Sequence, residues 1–93
     1  MDNLSELVEI FAQETDKCRI RRLFGELFTS AELTDIAKRW YLMKEIFRGT
    51  SQRKIAKDME VSLCKITRGS KVLKQDDSEF RRILSDMFDE THI

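Results

Sequence analysis

The sequence predicts an all-α domain of six helices, and three observations carry that expectation. There is no proline and there are only three glycines in 93 residues, too few turn formers for a β-sandwich or barrel. Apolar residues recur at steps of three and four in one segment after another. Asp, Ser or Thr stands at most of the breaks between segments, where helix N-caps belong. A chain of this length holds one small domain, and no linker, repeat or low-complexity tract divides it, so residues 1–93 read as a single domain.

The first helix is expected to start at Asn3, with Glu6 three residues on and Leu4, Leu7, Val8 and Phe11 as its stripe. The second follows Asp16 and carries Ile20, Leu23, Phe24, Leu27 and Phe28. Thr29-Ser30-Ala31-Glu32 is a capping box for the third, flanked by Phe28 and Leu33 as a hydrophobic staple. Leu33, Ile36, Ala37, Trp40, Met43 and Phe47 are expected along one face, and Gly49 to end the helix in the left-handed region. Trp40 reads as core, with a pocket wall as the alternative. A short fourth helix runs from Ser51 or Gln52 to about Met59, and Glu60-Val61 make a turn. Ser62 caps a fifth helix reaching Lys74. Asp76-Asp77-Ser78-Glu79 starts the sixth, with Phe80, Ile83, Leu84, Met87 and Phe88 as its stripe.

Composition removes several classes of function. Apolar residues at 41% are too many for simple disorder, and charged residues at 37% are too many for a membrane span. Met1-Asp2-Asn3 has neither a basic flank nor an apolar stretch behind it, so no signal peptide is expected. Cys18 and Cys64 are too few for a disulfide framework and read as reduced thiols of a cytoplasmic protein. The single histidine, His92, lies next to the C-terminus, which leaves little from which to build a metal site or a nucleophile pair. No enzyme activity and no metal are expected.

A net charge of zero hides a pattern. Residues 36–74 hold eleven Lys/Arg against three acids, a net of +8, while residues 1–35 and 75–93 each carry a net of −4. A cationic block between acidic ends points to an anionic partner for the middle, and nucleic acid fits best. The apolar stripes add a second expectation. Short helices cannot all hide theirs inside one small chain, so the first, second and sixth helices read as the faces of a homodimer rather than of a compact monomeric bundle.

Residues 52–71, QRKIAKDMEVSLCKITRGSK, fit a helix-turn-helix. Ala56 is the small residue that lets the second helix cross closely, and Ile55, Met59, Val61 and Ile66 supply the apolar crossing. Glu60 stands in the turn where most such units have glycine, and an ordinary helical hairpin remains the alternative. A helix-turn-helix puts its second helix in the DNA major groove with the N-terminal residues on base edges, here Leu63, Cys64, Lys65 and Thr67. Gly69 is out of place inside the fifth helix, where glycine costs about 1 kcal/mol relative to alanine and leaves a hole in the core. Either the helix ends there, or a ligand or another chain approaches the backbone at that point.

Ile66-Thr67-Arg68-Gly69-Ser70 with Leu73-Lys74 resembles the end of the recognition helix in the bacterial tryptophan repressor family. The likeness runs upstream through Leu27-Phe28-Thr29, Arg39, Phe47-Arg48-Gly49 and Ser51-Gln52-Arg53, covering about residues 20–74 by motif. The resemblance implies an intertwined six-helix homodimer, with 1–50 and 75–93 as its dimerisation core and 51–74 as the DNA-reading head. It also implies that L-tryptophan is the corepressor, with no other cofactor and no membrane association. The indole would lie between Arg39 and Arg68, beside Gly69, and Thr29 with the backbone near Glu26 and Phe28 would close the pocket from the partner chain. Planar, weakly hydrated guanidinium groups suit that stacking.

For double-stranded operator DNA, the resemblance implies Gln52, Arg53, Ala56, Leu63, Cys64, Lys65, Thr67 and Arg68 as contacts, with Arg53 reaching a guanine edge. Lys71, Lys74 and Arg48 read either as phosphate contacts or as solvated charge. Three departures stand out. Val72 replaces a serine of the family pattern, the Gly49-Thr50-Ser51 link is one residue shorter, and the N-terminal arm is short. A ligand-dependent repressor of tryptophan synthesis or uptake genes is therefore the leading expectation. A constitutive helix-turn-helix regulator, favoured by Val72, and a helical dimerisation module without nucleic acid are the alternatives.

Overall fold

A computed structural model describes residues 2–60 and 62–89, apart from the side chains of Leu63 and Asp89. Among these residues the chain is all-helical, with α1 at Asn3–Gln13, α2 at Lys17–Leu27, α3 at Ser30–Phe47, α4 at Gln52–Met59, α5 at Leu63–Lys74 and α6 at Glu79–Asp89. Val61 and His92 lie outside the described residues. The chain divides into two compact units, residues 1–35 and 36–93, with the boundary inside α3.

Local capping accounts for most of the boundaries. α1 starts at Asn3 as expected, and Asp2 before it caps the helix by accepting from the Ser5 N–H at 2.7 Å. Asp16 caps α2 through Cys18, Ser51 caps α4 through Lys54, and Ser62 caps α5 through Lys65. The capping box closes in both directions. The Glu32 N–H donates to Thr29 Oγ1 at 3.2 Å, and the Thr29 N–H donates to Glu32 Oε1 at 2.9 Å. That last bond, from the Thr29 backbone, holds the Glu32 carboxyl below its usual range. Thr29→Ala is expected to cost about 1 kcal/mol in urea unfolding, with Thr29→Ser restoring most of it. An unchanged midpoint would show that the start of α3 is set by packing alone.

In the unit of residues 1–35, aromatic rings pack in a short chain. Phe11 lies 5.3 Å from Phe24, and Phe24 meets Phe28 edge-on at 5.9 Å. Leu4, Val8, Ile10 and Leu27 remain exposed.

In the unit of residues 36–93, α4 packs on α5 and α5 on α6. Leu42, Ile55 and Ile66 form the buried cluster, and Ile46, Ala56 and Met59 pack against it. The inner face of α3 differs from the expected stripe. Leu42 is buried and Ile46 half-buried, whereas Ile36 and Ala37 are exposed. The cause is that α3 serves two neighbours. Leu42 and Ile46 turn towards α5, while Trp40 packs on Phe80 and Phe47 on Phe88 of α6. Two partners spread the apolar residues around the helix, so no single stripe describes it.

Candidate nucleic-acid interface and ligand site

The reading head is built from two capped helices and one strained turn. Glu60 closes α4 with φ 54°, in the left-handed region that glycine enters without cost. A side chain there stores backbone strain of about 1–2 kcal/mol. The buried crossing over-determines it: Ile55 of α4 is 2% exposed and Ile66 of α5 is 0% exposed. Ala56 is half-buried against that cluster, as a close crossing requires.

The faces of α5 separate cleanly. Ile66, Gly69, Ser70 and Leu73 are buried, at the i, i+3, i+4, i+7 spacing of a helix face. Cys64, Lys65, Thr67, Arg68 and Lys71 are exposed. On α4, Gln52, Arg53, Lys54 and Lys57 are exposed as well. The crossing thus turns the apolar positions inward and presents a surface dominated by Lys and Arg, the polarity needed against phosphates. Gln52 and Arg53 open α4, and Cys64 and Lys65 fall in the first turn of α5, where a major-groove helix meets base edges.

Gly69 does not end the helix, which continues to Lys74, and it leaves no hole. A Cβ built on it would lie 3.3 Å from Ile46 Cδ1 and 3.3 Å from Leu42 Cδ2. The close approach expected from a ligand or another chain is therefore made by two side chains of α3 in the same chain. Glycine lets α5 settle against α3, and a larger residue would push the reading head away from it.

The candidate ligand residues frame this contact. Arg39 stands three residues before Leu42 on α3, and Arg68 immediately precedes Gly69 on α5. Residues three apart on a helix are surface neighbours, so the Arg39 stem starts at the edge of the α3–α5 contact, whereas Arg68 lies on the exposed side of α5, next in sequence to the glycine packed there. Both are exposed, and among the described residues neither forms an ion pair. Val72 is half-buried one turn beyond Arg68. Glu26, Phe28 and Thr29 belong to the unit of residues 1–35, where Glu26 and Thr29 are exposed and Phe28 is half-buried.

Reasoning from the sequence missed how the short link into α4 is held. Gly49 takes φ 88°, its N–H donates to the Ile46 carbonyl, and the Thr50 N–H donates to the Glu45 carbonyl. These two bonds form a Schellman motif. Thr50 Oγ1 also donates to Glu45 Oε2 at 2.7 Å, which holds the Glu45 carboxyl below its usual range. The Tyr41 hydroxyl bonds the same carboxylate, and its own pKa is pushed up. The sequence signal was a carboxylate and a hydroxyl placed astride the glycine. Nearby, Lys44 lies over the rings of Trp40 and Tyr41, and Arg48 lies over Phe88. Arg48 is thus tied to α6, an option the charge pattern alone did not suggest.

The chain matches the family described as Trp repressor protein over residues 2–88. It is 35% identical over 66 residues to the Trp operon repressor homologs of Chlamydia trachomatis serovar L2 and serovar D, covering 70% of this chain and 70% of each relative. No solved structure matches it significantly.

Proposed function

This chain belongs to the Trp repressor family, and from that premise we propose a transcriptional repressor gated by L-tryptophan and working as a homodimer in the cytoplasm. The family is a regulatory DNA-binding one rather than a family of enzymes. The observation that carries the ligand reading is a pair of exposed arginines near the α3–α5 contact in the chain, Arg39 three residues before Leu42 and Arg68 immediately before the packed Gly69. A flat aromatic ring stacked between them ties α5 to α3, and one guanidinium pairs with the ligand carboxylate. Gly69 keeps the two helices close, Val72 gives the site an apolar end, and Glu26, Phe28 and Thr29 of the partner chain close it.

The reading head is α4 with α5, in residues 51–74. Without ligand it is mis-set, and with ligand the two heads of a dimer meet successive major grooves of a palindromic operator controlling tryptophan synthesis or uptake. Moving such an equilibrium from 1:99 to 99:1 needs about 5.5 kcal/mol of differential binding. Exposed Leu4, Val8, Leu27, Ile83 and Met87 supply apolar surface for the dimer. Arg53, Lys65, Thr67 and Arg68 make the principal DNA contacts, flanked by Gln52, Ala56, Leu63 and Cys64.

A second reading, a constitutive regulator, is favoured by one observation: Leu42 and Ile46 already occupy the face of Gly69. Calorimetry with L-tryptophan, paired with operator binding measured with and without it, separates the two readings. Heat of binding with tighter operator affinity is expected, and neither change would leave the constitutive regulator. Arg53→Ala is expected to relax discrimination at one base pair by about 1–3 kcal/mol while leaving tryptophan affinity alone. Equal weakening on every duplex would reassign Arg53 to a phosphate.

A further inference from the structure

All four basic residues of the first 35 fall within six positions of α2, at Lys17, Arg19, Arg21 and Arg22, in a unit otherwise rich in acids. They are not equivalent. Arg19 faces Glu14 at 3.8 Å, and Arg22 lines an open cleft with Glu14, Arg19 and Glu26. Lys17 and Arg21 are exposed and, among the described residues, form no ion pair. The nearest acid in sequence, Asp16, is engaged in capping the Cys18 N–H at 2.8 Å.

Lys17, Arg21 and Gly25 follow one another at steps of four, so they form a single ridge along α2. All three are exposed, which places the ridge on the solvent side of α2. Gly25 sits mid-helix, where glycine is unfavourable, yet no atom of the chain lies within 4 Å of the Cβ it lacks. This differs from Gly69, whose missing Cβ is explained by α3. Two unneutralised cations in line with a bare stretch of helix backbone fit a partner that is anionic, extended and close-approaching.

We infer that the Lys17–Arg21–Gly25 ridge of α2 is a second DNA surface, outside the helix-turn-helix, that grips the phosphate backbone without reading sequence. Charge complementarity selects this occupant: the chain is a DNA-binding repressor, and Lys and Arg side chains at helical spacing can each neutralise a phosphate. Gly25 lets the duplex backbone come near the helix where a side chain would hold it off. The inference rests on DNA binding and not on the response to tryptophan.

The test uses the full chain and a mixed-sequence duplex without tryptophan, titrated between about 50 and 200 mM NaCl. Each phosphate contact contributes about 0.9 to the slope of log affinity against log salt. Lys17→Gln/Arg21→Gln is expected to flatten the slope by about 1.8 per bound chain, shrinking the affinity change across that range roughly tenfold. The control is Arg81→Gln/Arg82→Gln, which removes the same charge from α6, where Arg82 pairs with Glu79 and Arg81 donates to the Asp76 carbonyl. It is expected to keep the wild-type slope. Equal slopes for the two double variants would reduce the effect to net charge and overturn the inference. An unchanged slope with lost self-association in sedimentation would assign the ridge to a second copy of the chain and overturn it too. Gly25→Leu is expected to weaken duplex binding without lowering the melting temperature, and unaltered binding would remove the close approach.

Discussion

Ile66→Ala is expected to cost about 2–5 kcal/mol of folding stability, the largest stability effect of any substitution argued for this protein. Ile66 is 0% exposed and lies in the cluster with Leu42 of α3 and Ile55 of α4. Removing three carbons there takes away transfer free energy and leaves a cavity. The site is poorly placed to collapse, because Gly69, one turn later, already holds Leu42 and Ile46 against α5. A small domain has about 5–15 kcal/mol of stability in all, so the variant approaches the threshold for a folded reading head. Urea unfolding at fixed protein concentration measures it, as a lower midpoint with unchanged slope. Ile66→Val is expected to lose only about 0.5–1.5 kcal/mol. A loss below about 1 kcal/mol for the alanine variant would mean that the α4–α5 crossing is held by something other than this cluster.

The same cluster marks where sequence reasoning stops. Caps are local, so Asp16, the Thr29–Glu32 box, Gly49, Ser51 and Ser62 were all legible from their neighbours within a few residues. The crossing residues Ile55, Ala56, Met59 and Ile66 were legible too, since a helix-turn-helix imposes their spacing. The role of α3 was not. Whether Leu42 or Met43 points at α5 depends on how α6 takes Trp40 and Phe47, and that choice involves Phe80 and Phe88, about forty positions away. Gly69 shows the same limit. Its anomaly was visible in the sequence, but the side chains that explain it stand on a different helix. The candidate arginines came from resemblance, and the fold adds that Arg39 stands one turn from Leu42 while Arg68 precedes the glycine that Leu42 packs on.

Arg68→Ala is expected to weaken tryptophan binding and DNA binding together, and the pairing of losses is the informative part. Arg68 lies on the exposed face of α5 with Lys65 and Lys71, while its neighbour Gly69 is packed against α3. On the ligand side the variant loses a cation–π face worth about 0.5–2 kcal/mol, or a charge-assisted hydrogen bond worth about 1.5–3 kcal/mol. About twofold to 150-fold weaker binding by calorimetry follows, at about 1.4 kcal/mol per factor of ten. On the DNA side it loses one contact of about 1–3 kcal/mol in addition to the weakened gating. Arg39→Ala separates the two contributions, because Arg39 belongs to α3 and not to the reading head. Saturating tryptophan is expected to restore operator affinity to Arg39→Ala and to leave Arg68→Ala short by its missing contact. Arg68→Lys is expected to recover part of the DNA binding, which needs only charge, and little of the ligand binding, which needs the planar group. Wild-type tryptophan affinity in Arg68→Ala would place the ligand elsewhere and leave Arg68 a DNA contact alone.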